Sequence, residues 1–152
     1  MTESASEPHR ILVADDNVAN RELLEAYLME VDCELETSVD GQDTLDKIDA
    51  FKPDLVLLDV MMPKLSGFEV CKKIKANDDT KRIMVLMVTA LDELGDVERG
   101  VAAGTDDFLS KPVQKVQLLK RVENMLQLKG VKDENERLRQ YIQAMQDSQR
   151  LA

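Results

Sequence analysis

The 152 residues suffice for one domain with a modest appendage, and an apolar share of 43% is enough to give that domain a core. The acidic excess behind the formal charge of −10 lies entirely before residue 128, and so acidic a surface repels a phosphate backbone, which argues against nucleic-acid binding. No apolar run approaches a membrane span, the N-terminus lacks a signal peptide's regions, and Cys33 and Cys71 have neither CxxC spacing nor a nearby histidine; the sequence reads as cytoplasmic, without a membrane segment or a thiol metal centre.

Residues 1–9 are polar and read as a disordered N-terminus. The apolar run 11–14 reads as a buried strand ending on Asp15-Asp16. A helix over 18–31 follows, with Leu23, Leu24, Tyr27 and Leu28 at helical spacing. A second strand, 34–39, runs into the turn signal Asp40-Gly41 and a helix carrying Leu45, Ile48 and Phe51. Pro53 resets the chain before a third strand, 55–58, which ends on Asp59. A loop through Pro63 then leads to a helix from about residue 66 that includes Phe68, Val70, Cys71 and Ile74. Strand four, 84–88, ends on Thr89, and the helix over 92–103 stops at Gly104, a C-cap signal. A short strand, 107–110, ends on Lys111-Pro112, and a helix from about residue 113 turns Val116, Leu119, Val122 and Leu126 inward.

Five such βα repeats with right-handed crossovers make an α/β fold, a parallel sheet covered by helices on both faces. Ligands of these sheets sit beyond the carboxyl ends of the strands, so Asp15, Asp16, Asp59, Thr89 and Lys111 face one crevice. Three acids, a hydroxyl and an amine there suit a divalent cation plus a phosphoryl group. Mg²⁺ (or Mn²⁺) takes a few hard oxygen ligands, while the amine and hydroxyl hold the phosphoryl oxygens left free. A carboxylate can itself accept the phosphoryl group, and Asp59, alone at the tip of the central strand, is the natural acceptor.

The order of these signals resembles the receiver domain of two-component response regulators over residues 10–126: an acidic pair, then Asp59 with Val60-Met61-Met62-Pro63 and Gly67, then Thr89-Ala90, then Lys111-Pro112. The resemblance implies a flavodoxin-like, doubly wound sheet in the order 2-1-3-4-5. It implies that Asp16 and Asp59 ligate Mg²⁺ directly, that Asp15 acts through a water, and that the Met61 carbonyl supplies another oxygen. It also implies that Lys111 contacts the phosphoryl group from a turn aimed by a cis bond to Pro112, and that Thr89 hydrogen-bonds the modified Asp59. Phe108 then matches the switch aromatic; lacking a tyrosine hydroxyl, it should prefer the inward position. Implied partners are a sensor histidine kinase or histidine phosphotransfer protein and a downstream protein. His9, the sole histidine, has no partner residues and is no phosphodonor. A haloacid-dehalogenase-type phosphatase would need a second aspartate two residues after the nucleophile, where Met61 stands. The chain therefore reads as no enzyme beyond its own phosphoryl transfer and dephosphorylation.

The receiver spans 10–127, and 128–152 read as a helical tail continuing the last receiver helix past a weak point at Gly130, which costs about 1 kcal/mol relative to Ala. Leu128, Asn135 and Ile142 fall at heptad position a, and Val131, Leu138 and Met145 at d. A buried Asn at a, with Glu134 at g facing Arg139 at e of another chain, specifies a short parallel homodimer. The competing reading is a solvated helix. No output domain is recognisable, so the alternatives to a stand-alone regulator are the receiver part of a larger cyclase- or phosphodiesterase-type regulator, or a shuttle passing phosphate to a histidine phosphotransfer protein.

Overall fold

Side chains alternate across a strand, and here that alternation sorts the apolar residues into two layers. The computed structural model describes residues 8–90, 94–129, 131 and 133–150. Its strands are β1 (His9–Ala14), β2 (Cys33–Ser38), β3 (Leu55–Leu58), β4 (Met84–Thr89) and β5 (Asp107–Ser110), all parallel in the order 2-1-3-4-5 that the resemblance implied. Between them run α1 (Val18–Leu28), α2 (Gly41–Phe51), α3 (Gly67–Ala76) and α4 (Leu94–Ala103), followed by α5 (Lys115–Leu126) and α6 (Glu134–Arg150). Ile11, Val13, Leu55, Leu57, Leu86 and Val88 face one way, against Leu24 and Leu28 of α1 and Leu118, Val122 and Met125 of α5. Leu12, Ala14, Val56, Leu58, Val85 and Met87 face the other, against Ile48 of α2, Phe68, Val70, Cys71 and Ile74 of α3, and Ala103 of α4. Each buried aliphatic side chain contributes about 1.5–3 kcal/mol to this sandwich. Among the described residues no helix is long and apolar enough to cross a membrane.

Several boundaries differ from the sequence reading. His9 belongs to β1, paired in register with Cys33, so ordered structure begins inside the segment read as disordered; residues 1–7 lie outside the described residues. Helix α1 ends at Leu28 rather than 31, because the Val31 N–H bonds the Leu28 carbonyl in a turn that feeds β2. The start expected for α4, at 92, falls among undescribed residues 91–93. Helix α5 starts two residues late, and its inward stripe is Leu118, Val122 and Met125. Val116 is 66% exposed.

The largest difference is in the tail. Helix α5 stops at Leu126, and the chain turns through bonds from the Leu128 N–H to the Met125 carbonyl and from the Lys129 N–H to the Leu126 carbonyl. Asp133 then starts a separate helix, its carboxylate accepting the N–H groups of Asn135 at 2.9 Å and Glu136 at 3.1 Å, an aspartate N-cap. Helix α6 folds back on its own domain. Leu128 and Tyr141 are buried in the α1/α5 core layer, and Met145 packs against it.

Candidate functional site

The parallel register brings the carboxyl ends of β1 and β3 side by side, with Ala14 opposite Leu58, so that Asp15, Asp16 and Asp59 emerge together. Backbone bonds hold the ends in place: the Asp15 N–H donates to the Ser38 carbonyl at 3.1 Å, and the Asp59 N–H to the Ala14 carbonyl at 3.0 Å. Asn17 caps α1 by accepting the Asn20 N–H at 3.0 Å, while Asp15 accepts the Asn17 N–H at 2.9 Å, so the cap also fixes the first acid. Beyond β3 the loop is tight. Gly67 donates to the Val60 carbonyl at 2.9 Å, and a Cβ there would lie 2.3 Å from the Asp59 carbonyl oxygen, which makes glycine a requirement of the acceptor loop.

Carboxylate oxygens of Asp15, Asp16 and Asp59 all lie within 4.8 Å of one another. Asp15 and Asp59 are buried and Asp16 is exposed. Lys111, just past β5 and joined to Pro112 by a cis peptide bond as expected, places its Nζ 2.9 Å from Asp15 and 3.3 Å from Asp59. Burial, then the Asp15 charge, raise the Asp59 carboxyl above its usual value, against the opposing pull of Lys111. Burial would lower the Lys111 ammonium, but its bond to Asp15 and the Asp59 charge outweigh this and raise it. One ammonium among three carboxylates leaves two negative charges, a donor set of hard oxygens that fits a divalent cation.

The remaining predicted residues are placed unevenly. Thr89 ends β4, in register with Ser110 next to Lys111, but its side chain lies outside the described residues, as does Leu91. Ala90 is exposed, and so is Met61 at 67%, whose N–H lies 3.4 Å from an Asp59 carboxylate oxygen. Phe108 is turned inward as expected, packed against the α2/α3/α4 layer. Its ring lies over Gly100 of α4, where a Cβ would meet Phe108 Cζ at 2.2 Å. Sequence reasoning missed Gly100, since a helix-interior glycine signals close approach without naming what approaches. The proposed seam residues are not brought into one stripe: Leu128 and Met145 go inward, Val131 is half-buried, and Asn135, Leu138 and Ile142 are exposed.

An acidic trio and a lysine at the carboxyl ends of a 2-1-3-4-5 sheet put a charged binding site at the switch point of a flavodoxin-like fold. Residues 11–123 match the response regulator receiver domain, and the chain belongs to that family. Over 125 residues it is 46% identical to the response regulator PleD of Caulobacter vibrioides, an alignment covering 82% of this chain and 28% of PleD, so it spans little more than a quarter of that relative. The crystal structure of a response regulator from Chloroflexus aurantiacus is 32% identical with a TM-score of 0.76, covering 80% of this chain and 99% of that one. The receiver domain of the sensor histidine kinase PA1611 from Pseudomonas aeruginosa, 26% identical with a TM-score of 0.73 over 80% of this chain and 99% of that one, has a magnesium ion coordinated in its active-site cleft. The acidic cluster that such domains use for Mg²⁺ is present here.

Proposed function

We propose that Asp59 accepts a phosphoryl group from a sensor histidine kinase or a histidine phosphotransfer protein in the cytoplasm, and that the modified receiver signals by changing its protein contacts. The observation that carries this is Lys111, 2.9 Å from Asp15 and 3.3 Å from Asp59 beside the carboxylate trio, since that arrangement matches both a metal and a phosphoryl group. Asp16 and Asp59, with the Met61 carbonyl and with Asp15 through a water, would hold Mg²⁺ (or Mn²⁺), whose charge offsets that of the phosphoryl oxygens. An Asp59 carboxylate oxygen attacks the phosphorus of the donor's phosphohistidine. The O–P bond forms as the P–N bond breaks, and the imidazole leaves with the electron pair. Lys111 then shifts from Asp59 to a phosphoryl oxygen and the Thr89 hydroxyl donates to another, while Phe108 keeps its inward place over Gly100 beside β4.

The output we propose is self-association of a second copy through the tail, supported by the heptad spacing and by Leu138 and Ile142 standing 56% and 47% exposed. Incubation with Mg²⁺ and acetyl phosphate followed by intact mass tests the acceptor. One phosphoryl group should appear on the native chain and none on Asp59→Asn; full modification of that variant would place the acceptor elsewhere.

A further inference from the structure

Two uses of the tail are written into the same residues. As heptad positions, Leu128, Val131, Asn135, Leu138, Ile142 and Met145 make one seam suited to a second copy of this chain, with Glu134 and Arg139 at flanking positions where opposite charges pair between chains. In the folded chain that seam is divided. Leu128 is only 4% exposed and Met145 packs against the same core layer. The chain turns after Leu126, and α6 lies across the amino ends of β4 and β5, opposite the carboxylate site, with Arg137 on the Arg82 carbonyl and Tyr141 on Asp107.

That contact is specific. Tyr141, 7% exposed, donates its hydroxyl to the Asp107 carboxylate, which also receives Arg121 Nε of α5 at 3.2 Å. Arg137 donates to the Arg82 carbonyl at 2.9 Å and lies 3.8 Å from the Asp106 carboxylate, itself bonded by Lys75 at 2.9 Å. The other Asp107 oxygen accepts the Phe108 N–H at 2.7 Å, so the helix is anchored on the strand that carries Phe108 and leads to Lys111.

We propose that α6 is a docking helix that keeps this chain apart from its own copies: bound across the strand ends of its own receiver, it withholds Leu128 and Met145 from the interchain seam, and its release lets two chains zip together. One side chain cannot fill the receiver core and an interchain seam at once, so docking and the complete zipper exclude each other. The docking free energy is then subtracted from association. While α6 is docked, Leu138 and Ile142 are the apolar seam residues left exposed on it, too little to offset the entropic cost of association. The proposal rests on self-association being the output and is independent of the Asp59 chemistry.

Sedimentation equilibrium of the full chain tests it, with Tyr141→Ser, Arg137→Ala, and Tyr141→Ser combined with Leu138→Glu and Ile142→Glu. Tyr141 and Arg137 lie at g and c, outside the a/d seam, so their loss weakens docking and spares the zipper. Tyr141→Ser should tighten dimerisation about tenfold, Arg137→Ala a few-fold, and the two glutamates should return the chain to monomer. Folded variants that associate no more tightly than the native chain would overturn the proposal, as would dimers that survive the glutamates. If circular dichroism shows Tyr141→Ser unfolded, Arg137→Ala decides alone. Mass analysis of the same samples after acetyl phosphate treatment separates the two readings. A chain that takes up phosphate but whose variants associate identically refutes docking alone, whereas variants that dimerise more tightly while Asp59 stays unmodified refute the acceptor alone.

Discussion

Replacing Asp59 by Asn should stabilise the metal-free fold even though it destroys the acceptor. The carboxylate is 6% exposed, with Asp15 and Asp16 oxygens within 4.8 Å and Lys111 at 3.3 Å. At an effective dielectric of 20, a like charge at that limit costs about 3.5 kcal/mol, while the Lys111 contact returns about 5 kcal/mol. Set against Asp15 alone, with the exposed Asp16 discounted for solvent screening, Lys111 is ahead by about 1.5 kcal/mol, and by less the closer Asp15 lies within that limit. Burial decides the sign. Because the folded-state carboxyl is raised above its usual value, first by burial and then by Asp15, its ionised form is less stable in the folded chain than in the unfolded one. The neutral amide escapes that penalty, and we expect a gain of about 1–2 kcal/mol, or about 3–6 °C in Tm for a domain of this size. The pH dependence has a definite sign. Below the ordinary carboxylate range Asp59 is protonated in both states and the variant should match the native chain. As pH rises from the ordinary carboxylate range to the raised folded value the native chain loses stability that Asp59→Asn keeps, so the gap opens across that window and stays constant above it. Thermal melts in EDTA from pH 3 to 8, repeated in Mg²⁺, measure this. With the cation at a hundred times its Kd the native chain should recover about 2.7 kcal/mol, and the variant less. A variant that melts below the native chain in EDTA at pH 7 would refute the argument.

Three further outcomes are expected. Asp16→Ala should weaken Mg²⁺ binding far more than Asp15→Ala, since Asp16 is exposed toward a cation while Asp15 is buried against Lys111 and the Asn17 N–H; equal losses by titration would reject the assignment. Met61, 67% exposed beside Asp59, cannot orient an attacking water, so the phosphoryl adduct should decay faster once Asn replaces it and Glu replaces Leu91, a comparison read by the half-life of the adduct. Burial pushes the Cys71 thiol up to about 12 and leaves it fully enclosed, bonded to the Ala103 carbonyl, so iodoacetamide should label half-buried Cys33 first in the native chain, and rapid labelling of Cys71 would show that the α3/α4 layer opens.

The receiver was legible because each step in it is local. Leu55–Leu58 is apolar at every position, as a strand covered on both faces must be, and it ends on an acid that has no place in a core. Ser66 with Glu69 three residues on makes a capping box, and the structure has both of its bonds. Strand order, by contrast, came only from the family resemblance, because spacing along the chain does not say which strand lies beside which. The Phe108 ring over Gly100 was illegible for the same reason: α4 and β5 meet only in the fold.

The tail shows where periodicity misleads. Apolar residues at alternating three- and four-residue steps report that a helix has a sticky side, and the same steps arise whether that side faces a second chain or the helix's own domain. What sets α6 against its own domain in this structure is punctuation rather than period. Asp133, with Glu136 three residues later, is a helix start in the middle of the supposed continuous helix, and Gly130 stands just before it. Once the chain restarts there, α6 is free to turn Tyr141 toward Asp107, a contact between residues 34 apart that no heptad count contains. The period therefore marks a sticky side of the tail without giving its address. A sequence that satisfies both addresses has the composition needed for a helix that changes partners.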